Sequence, residues 1–450
     1  MGHFGLLIEM NSVPAAAIPA VAALVAAGSG SCRLYGCGGG SNNPEQSFCE
    51  GGNQQGLFSF VSQFFPASSL RGKRSALYLS SGPSGAGKDT LLLGARTALA
   101  AEGDEEVRFL QRHITRPQDK CTDLEISVSE EEFQRLSKAG HFAFEWHAHN
   151  THYGIGAEAL QQGFQEGKRL VANVSRTIID KAREDFGQDH EVYCLLITAD
   201  DDVLRQRLMA RGRESEEEVG KRIARAKALE PKGDHVVTVK NMASVDKGVM
   251  LVKNALKGQL RYSLWLEPSL SDPVRGSIQR SITSLAEQHN TRPFGPHVTL
   301  CPTFITTQQE AIGLANSIAE ALPSSLKAGF EGVGSEQKWN KCLYLHVDST
   351  SSPGLAQASL TASKIIDAAL GTDAAKKAPA YHPHMSLLYS VLDQASLSAA
   401  LAEVETHTDV SASAFHATDL VLTMTSPGED THCWIEVCRI PLSAQPGNIK

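Results

Sequence analysis

The sequence predicts two consecutive folded units: an α/β unit with a parallel sheet flanked by helices, then a second unit mixing strands and helices. Three observations carry this reading. At 450 residues the chain is too long for one core, because a domain takes roughly 100–200 residues. From Ser75 to about Leu256, short apolar runs alternate with helical stretches, the order that builds a parallel sheet with crossover helices. Lys257-Gly258 then makes a plausible joint, beyond which strand and helix character resumes in a new order. The expected boundaries are a leader over 1–74, a first domain over 75–257 and a second over 259–450.

The leader contains GSGSC and CGGGSNN, a composition that buries too little apolar surface to offset chain entropy. Its Ala-rich stretch from Val13 to Ala27 is a candidate core for a targeting segment, although the first basic residue after it is Arg33. Folded sequence begins at Ser75, where ALYLSS reads as a buried strand running into glycines. Leu91 to Ala101 reads as a helix, and Ser129 to Lys138 opens with a capping-box-like Ser-Glu-Glu-Glu. Leu170 to Val174 and Val192 to Thr198 read as strands. Ala199 to Ala228 reads as mostly helical, with a break at Arg211–Arg213. In the second unit, Tyr262 to Leu266, Cys342 to Val347 and Trp434 to Val437 have strand character. Ser277 to Gln288, Gln308 to Ala321 and Leu355 to Leu370 have helical character.

Composition excludes several classes. The net charge is −8, which argues against a nucleic-acid partner, since a phosphate backbone demands a positive surface. No apolar run reaches about 18 residues, so no membrane span is expected. Nine cysteines lie scattered without a CxxC pair, as free thiols of a reducing compartment do. The expected location is the cytoplasm, or an organelle if the leader is a targeting segment. Nothing in the sequence speaks to oligomeric state.

Gly82-Pro83-Ser84-Gly85-Ala86-Gly87-Lys88 fits G-x-x-x-x-G-K, between a predicted strand and a predicted helix. Glycines there let backbone N–H groups curl round phosphate oxygens at a helix N-terminus. Lys88 would reach the outer phosphates of ATP. Asp89 stands where the usual motif has Ser or Thr on Mg²⁺, and Thr90 follows; both are candidate metal contacts.

The segment resembles guanylate kinase and, more closely through GPSGAGKDT, the ribose 1,5-bisphosphate phosphokinase family. Arg112-His-Ile-Thr-Arg116-Pro117, Phe144-Glu145-Trp146-His147, Tyr153-Gly154, Asn173-Val-Ser175-Arg176 and Arg205-Gln-Arg207 to Arg211-Gly-Arg213 extend the match. Asp123 and Glu125 stand where this family is expected to have Glu and His. The resemblance implies a P-loop kinase using ATP and Mg²⁺. An acceptor that is already an anion needs no general base but does need arginines against crowded negative charge. Arg116, Arg176, Arg205, Arg211 and Arg213 are the candidates, with Glu145 and Tyr153 as acceptor contacts.

Gly295-Pro296-His297-Val298-Thr299 and His382-Pro383-His384-Met385-Ser386 share a second design. On a strand, period two puts each His and its hydroxyl on one face. Two such strands side by side would present two imidazoles and two hydroxyls to one phosphate. One His can act as general base on water and the other as general acid on the leaving oxygen, with Thr299 and Ser386 donating to the non-bridging oxygens. No metal cofactor is required. His289, His346, His382 and His432 lack a paired hydroxyl and read as structural or surface residues.

This half resembles the 2H phosphoesterase superfamily, within it the plant and fungal cyclic phosphodiesterases. Tyr262-Ser-Leu-Trp-Leu-Glu-Pro, the Cys342-Leu-Tyr-Leu segment and Tyr389 fit that subgroup. The resemblance implies a bilobal α+β domain with the motif residues in a central cleft and Tyr389 on the substrate. Together the two resemblances imply phosphorylated ribose as the substrate class: a 5-phosphoribose 1,2-cyclic phosphate opened to ribose 1,5-bisphosphate, then phosphorylated to 5-phosphoribosyl diphosphate. Repair of RNA or tRNA ends, a guanylate-kinase-like activity and a non-catalytic binding module are the alternatives.

Overall fold

The computed structural model describes residues 75–148, 150–212, 215–233, 235–242, 244–372, 381–406, 413–425 and 431–442. The leader assigned to 1–74 and the candidate Arg213 lie outside the described residues.

Strand β1 (Ala76–Ser81) is buried along its length, as a strand covered on both faces must be. It runs through the glycine loop into helix α1 (Lys88–Ala101). Strands β2 (Val107–Phe109), β3 (Arg112–Ile114) and β4 (Glu125–Ser127) are three residues each. Helix α2 (Glu130–Lys138) starts where Ser129 caps the Glu132 N–H, as the Ser-Glu-Glu-Glu pattern predicts. Strands β5 (Phe142–Ala148) and β6 (Thr151–Gly156), helix α3 (Ala157–Gln165) and strand β7 (Arg169–Asn173) follow. Helix α4 (Ile179–Phe186) leads to β8 (Glu191–Thr198). The long helical stretch breaks into α5 (Asp201–Ala210) and α6 (Glu216–Ala228), the second opened by a Ser215–Glu218 capping box. Strand β9 (Val236–Lys240) and helix α7 (Val245–Lys257) complete the half.

The parallel sheet has the order β2-β7-β1-β8-β9. A second sheet, β4-β3-β6-β5, stands beside it. The alternation reading did not contain this second sheet, two of whose four strands, β3 and β4, are three residues long and too short to display a period.

Gly258 caps α7 in the left-handed region at φ 65°, and the next half begins two residues later with β10 (Leu260–Leu266). Then come α8 (Pro273–Gln288), β11 (Val298–Thr306), α9 (Gln308–Ala321), β12 (Leu326–Gly334), β13 (Leu343–Val347) and α10 (Gly354–Leu370). Strand β14 (His384–Leu388), α11 (Gln394–Thr406), β15 (Ala414–Ala417), β16 (Asp419–Thr425) and β17 (Ile435–Pro441) close it. All the pairings are antiparallel, in the order β15-β12-β13-β14-β11-β10-β16-β17. The sheet divides into two four-stranded lobes that meet at β14 and β11, whose ladder has the single registered pair Val298 with Met385. This is the bilobal α+β architecture that the resemblance implied.

The two halves belong to one compact unit and share a hydrophobic core. Tyr78 of β1, Tyr193 of β8 and Tyr262 of β10 are all buried in it. Gln308 at the start of α9 is buried, and its Nε2 donates to the Val236 carbonyl of β9 at 2.8 Å.

Candidate active sites

In the first half the glycine loop takes left-handed geometry at Gly85 (φ 88°) and Gly87 (φ 84°). A Cβ on Gly82 would lie 1.9 Å from the Ile197 carbonyl oxygen, so β8 packs directly on the loop. The buried Asn241, just past β9, fixes the far side by donating to the Ala86 carbonyl at 2.8 Å. Lys88 Nζ folds back onto the carbonyls of Gly82 (2.8 Å) and Pro83 (3.2 Å). Burial lowers its pKa to about 8. Asp89 opposes that shift, and the guanidinium groups of Arg112, Arg176 and Arg211 add to it. Cavities of about 430 and 720 Å³ border the loop. The first is lined by Thr198, Asp200, Lys227 and Lys240, the second by Ser84, Lys88, Arg176, Arg222 and Arg225.

The second sheet contributes a charged cluster facing this loop. Buried Glu125 accepts from Arg112 Nη2 at 2.6 Å, and Arg116 lies 3.6 Å away. Burial alone would raise the Glu125 carboxyl, but the Thr122 backbone N–H and Arg112 hold it below the usual range. Arg112 lies over the Tyr153 ring at 5.3 Å, and Trp146 stacks on that ring at 5.2 Å. Arg116 Nη2 donates to Tyr153 Oη at 3.5 Å. Asn173, at the C-terminal end of β7, donates to Asp89 Oδ1 at 2.6 Å, and Arg112 is 3.7 Å from the same oxygen.

Of the sequence-predicted residues, Arg116 and Tyr153 meet in this cluster. Asp89 is joined to it, and both Asp89 and Thr90 are exposed on the first turn of α1. Their carboxylate and hydroxyl are the hard oxygen donors that suit Mg²⁺. Arg176 donates to the carbonyls of Ala226 and Leu229 at the end of α6. Arg211 and Glu145 are exposed. Arg207 is a positioning residue here, donating to the Asn241 carbonyl at 3.0 Å. Arg112, Glu125 and Asn173 were not among the candidates. Asn173 had a signal, since the C-terminal ends of parallel strands line ligand crevices. Glu125 stands out in the sequence only where the family is expected to have His, and nothing there marks its burial against Arg112.

In the second half the two His-x-Thr/Ser motifs meet at the seam between the lobes. Extending the antiparallel register from Val298–Met385 puts His297 opposite Ser386 and Thr299 opposite His384, all on one face. The proline before each histidine holds the preceding residue extended. The carbonyl two residues back then meets the histidine Nδ1: Gly295 O at 2.8 Å for His297, and His382 O at 3.0 Å for His384. A carbonyl only accepts, so each Nδ1 carries the proton and each Nε2 is left as the lone-pair nitrogen.

The surroundings of the two imidazoles differ. His297 is buried, stacked on Trp265 at 3.8 Å, with Tyr389 Oη 3.4 Å from Nε2. Burial lowers its pKa to about 4. Phe294, Trp339 and Trp434 pack around Tyr389, whose hydroxyl is pushed up to about 12 by burial. His384 is half-buried, and desolvation lowers it as well. Ser386 Oγ donates to the Asn340 carbonyl at 3.0 Å. Thr299 is half-buried beside His384. His382 is exposed and supplies a carbonyl, and the side chain of His432 lies outside the described residues. His346, read as structural or surface, is exposed and pairs with His384 across β13 and β14.

Residues 260–434 match the family model described as cyclic phosphodiesterase-like protein. The ribose 1,5-bisphosphate phosphokinase PhnN of Brucella melitensis is 40% identical over 164 residues, covering 36% of this chain and 82% of the relative. A bifunctional ribose 1,5-bisphosphokinase-thymidine phosphorylase of Cupriavidus pinatubonensis is 41% identical over 180 residues. That match covers 40% of this chain and only 29% of the length of that relative. Among solved structures, LigT of E. coli aligns at 13% identity and a TM-score of 0.27, covering 41% of this chain and 99% of that one.

Proposed function

The chain belongs to the ribose 1,5-bisphosphate phosphokinase family, and from that premise we propose that its first half transfers the γ-phosphoryl group of ATP to the 1-phosphate of ribose 1,5-bisphosphate. An oxygen of that phosphate attacks the γ-phosphorus, the bond to the β-phosphate oxygen breaks, and ADP and 5-phosphoribosyl diphosphate form. The attacking oxygen is already anionic, so the site needs charge and alignment rather than a base. The loop amides from Gly82 to Thr90, with Ser84, Gly85, Ala86 and Gly87 between, hold the ATP phosphates. Lys88 leaves the Gly82 and Pro83 carbonyls for the outer phosphates. Arg116 and Tyr153, aligned by Arg112 and Glu125, hold the acceptor. Arg176, Arg211 and Glu145 would border it. Asp89, with Thr90 beside it, would hold a magnesium ion, which when bound supplies positive charge against the phosphate oxygens.

The second half, on this reading, opens a 5-phosphoribose 1,2-cyclic phosphate. His297 Nε2 takes a proton from water, whose oxygen attacks phosphorus. The P–O2 bond breaks, and His384 gives a proton to the leaving O2. His297 suits the base because burial keeps it neutral. Half-buried His384 suits the acid because an anionic substrate beside it favours its proton. Thr299, and Ser386 turned from the Asn340 carbonyl, would donate to the non-bridging oxygens, with Tyr389 alongside. The product is ribose 1,5-bisphosphate, the acceptor of the first half, and one chain keeps the second site at high local concentration for it. The observation that supports this reading most is the register that sets two X-Pro-His-x-Thr/Ser motifs side by side on one face.

The test is incubation of the full chain with 5-phosphoribose 1,2-cyclic phosphate, with and without ATP and Mg²⁺, followed by ³¹P NMR. The expected products are ribose 1,5-bisphosphate without ATP and 5-phosphoribosyl diphosphate with it. An intact cyclic phosphate would refute the series. Turnover of RNA 2′,3′-cyclic ends or GMP instead would favour end repair or nucleotide phosphorylation.

A further inference from the structure

The face that carries the two motifs continues one strand further. Tyr344 and His346 on β13 pair with Ser386 and His384 on β14, so all four side chains share a face. Tyr344 meets the His384 ring at 5.3 Å and the His346 ring at 5.0 Å. Tyr344 is buried and His346 is exposed. Gly334 on β12 makes the space for both: a Cβ there would lie 2.5 Å from His346 Nε2 and 2.8 Å from the Tyr344 ring.

Next to them is a cation. Lys341 ends the short 3-10 turn whose Asn340 carbonyl receives Ser386, and its Nζ lies 5.8 Å from the Tyr344 ring centre. Lys341 and Lys338 share one carboxylate, Glu336, at 3.3 and 2.7 Å. Two lysines on one carboxylate leave a positive charge over. Glu336 also accepts from Tyr344 Oη at 3.4 Å, which ties the group to the cleft wall.

The cleft is therefore polar in one direction. On the His297 side, Trp265, Phe294, Tyr389 and Trp434 form an aromatic wall. On the His384 side lie His346 and Lys341. Resting on the reading of this half as a cyclic phosphodiesterase, we propose that Lys341 and His346 form a second anion subsite. It takes the terminal phosphate monoester of a substrate whose cyclic phosphate lies between His297 and His384. His346 stands one strand spacing beyond His384, about 4.8 Å, a step on the scale of a pentose ring. The subsite selects doubly phosphorylated sugars, with the pentose ring spanning the step from His384 to His346.

The experiment compares two substrates on the full chain: 5-phosphoribose 1,2-cyclic phosphate, and ribose 1,2-cyclic phosphate without the terminal phosphate. The variants are Lys341→Met, His346→Gln and both together, with kinase turnover of the same preparations as the check on folding. For the doubly phosphorylated substrate, KM is expected to rise on the order of tenfold or more in the double variant, the loss of charge-assisted hydrogen bonds, with kcat little changed. Kinetics on the substrate lacking the terminal phosphate should stay at the wild-type level. Equal losses on both substrates, or none on either, overturn the subsite. Wild-type protein that opens neither compound overturns the phosphodiesterase reading itself, and the subsite with it.

Discussion

On the proposed reading, the phosphate loop works mostly through main-chain atoms, whereas the seam between β11 and β14 works through side chains at fixed strand register. The loop owes its shape to Gly82, Gly85 and Gly87, to Ile197 packed against it, and to Asn241 holding the Ala86 carbonyl. The seam owes its shape to one registered pair and to two prolines that turn backbone carbonyls onto His297 and His384. A main-chain site is vulnerable to any added Cβ. A register site is vulnerable to loss of single side chains and tolerant of the backbone around them.

The largest expected effects test that contrast directly. His297→Ala and His384→Ala should each lower cyclic phosphodiesterase turnover on the order of 10²–10⁴-fold while kinase turnover in the same preparation stays at the wild-type level. Loss of both activities together would mean that the seam is structural. Next, Lys88→Ala should lower kinase turnover on the order of 10²–10³-fold and leave cyclic phosphate opening intact. Gly82→Ala should reach a similar kinase loss without touching a charge, because its Cβ has nowhere to go. A fully active Gly82→Ala protein would break the contrast.

Both candidate sites were legible in outline for different reasons. The loop is a contiguous motif, and each histidine motif spans four residues including its proline, so local sequence carries them. What partners them across space was not legible. Glu125 holds Arg112 through a fold of three-residue strands that shows no period. His346 lacks a hydroxyl two residues on, so the motif rule discarded it, yet strand pairing puts it beside His384. Strand β12 contains Gly329, Gly332 and Gly334, a composition that reads against a strand. In the fold, Gly334 is the space into which Tyr344 and His346 pack.

Burial of His297 separates the sites in pH as well. Its folded pKa of about 4 lies below the ordinary value of 6.5. Between those values the unfolded chain binds the proton and the native state does not, so stability falls as pH drops through this window. The full difference is about 3 kcal/mol, and desolvated His384 contributes in the same direction. Urea unfolding of wild type and His297→Gln at pH 7 and pH 4.5 should show a smaller loss on acidification in the variant. Parallel losses would place the imidazole in water rather than against Trp265.

The smallest expected effect concerns what the two sites share. Gln308 looks like a surface residue at a helix start, but it is buried and donates to the Val236 carbonyl across the joint between the halves. Tyr78, Tyr193 and Tyr262 join the same continuous core. Removing the amide in Gln308→Leu strands a buried carbonyl at a cost of about 1–3 kcal/mol. If the halves are energetically one body, that cost should lower a single thermal transition, followed equally by loss of ATP binding and by near-ultraviolet signal from the Trp265 and Trp434 cluster. Two separated transitions, with only one shifted, would mean that the segments 75–257 and 259–450 fold as independent domains despite the shared core. Each site would then draw its rigidity from its own half alone.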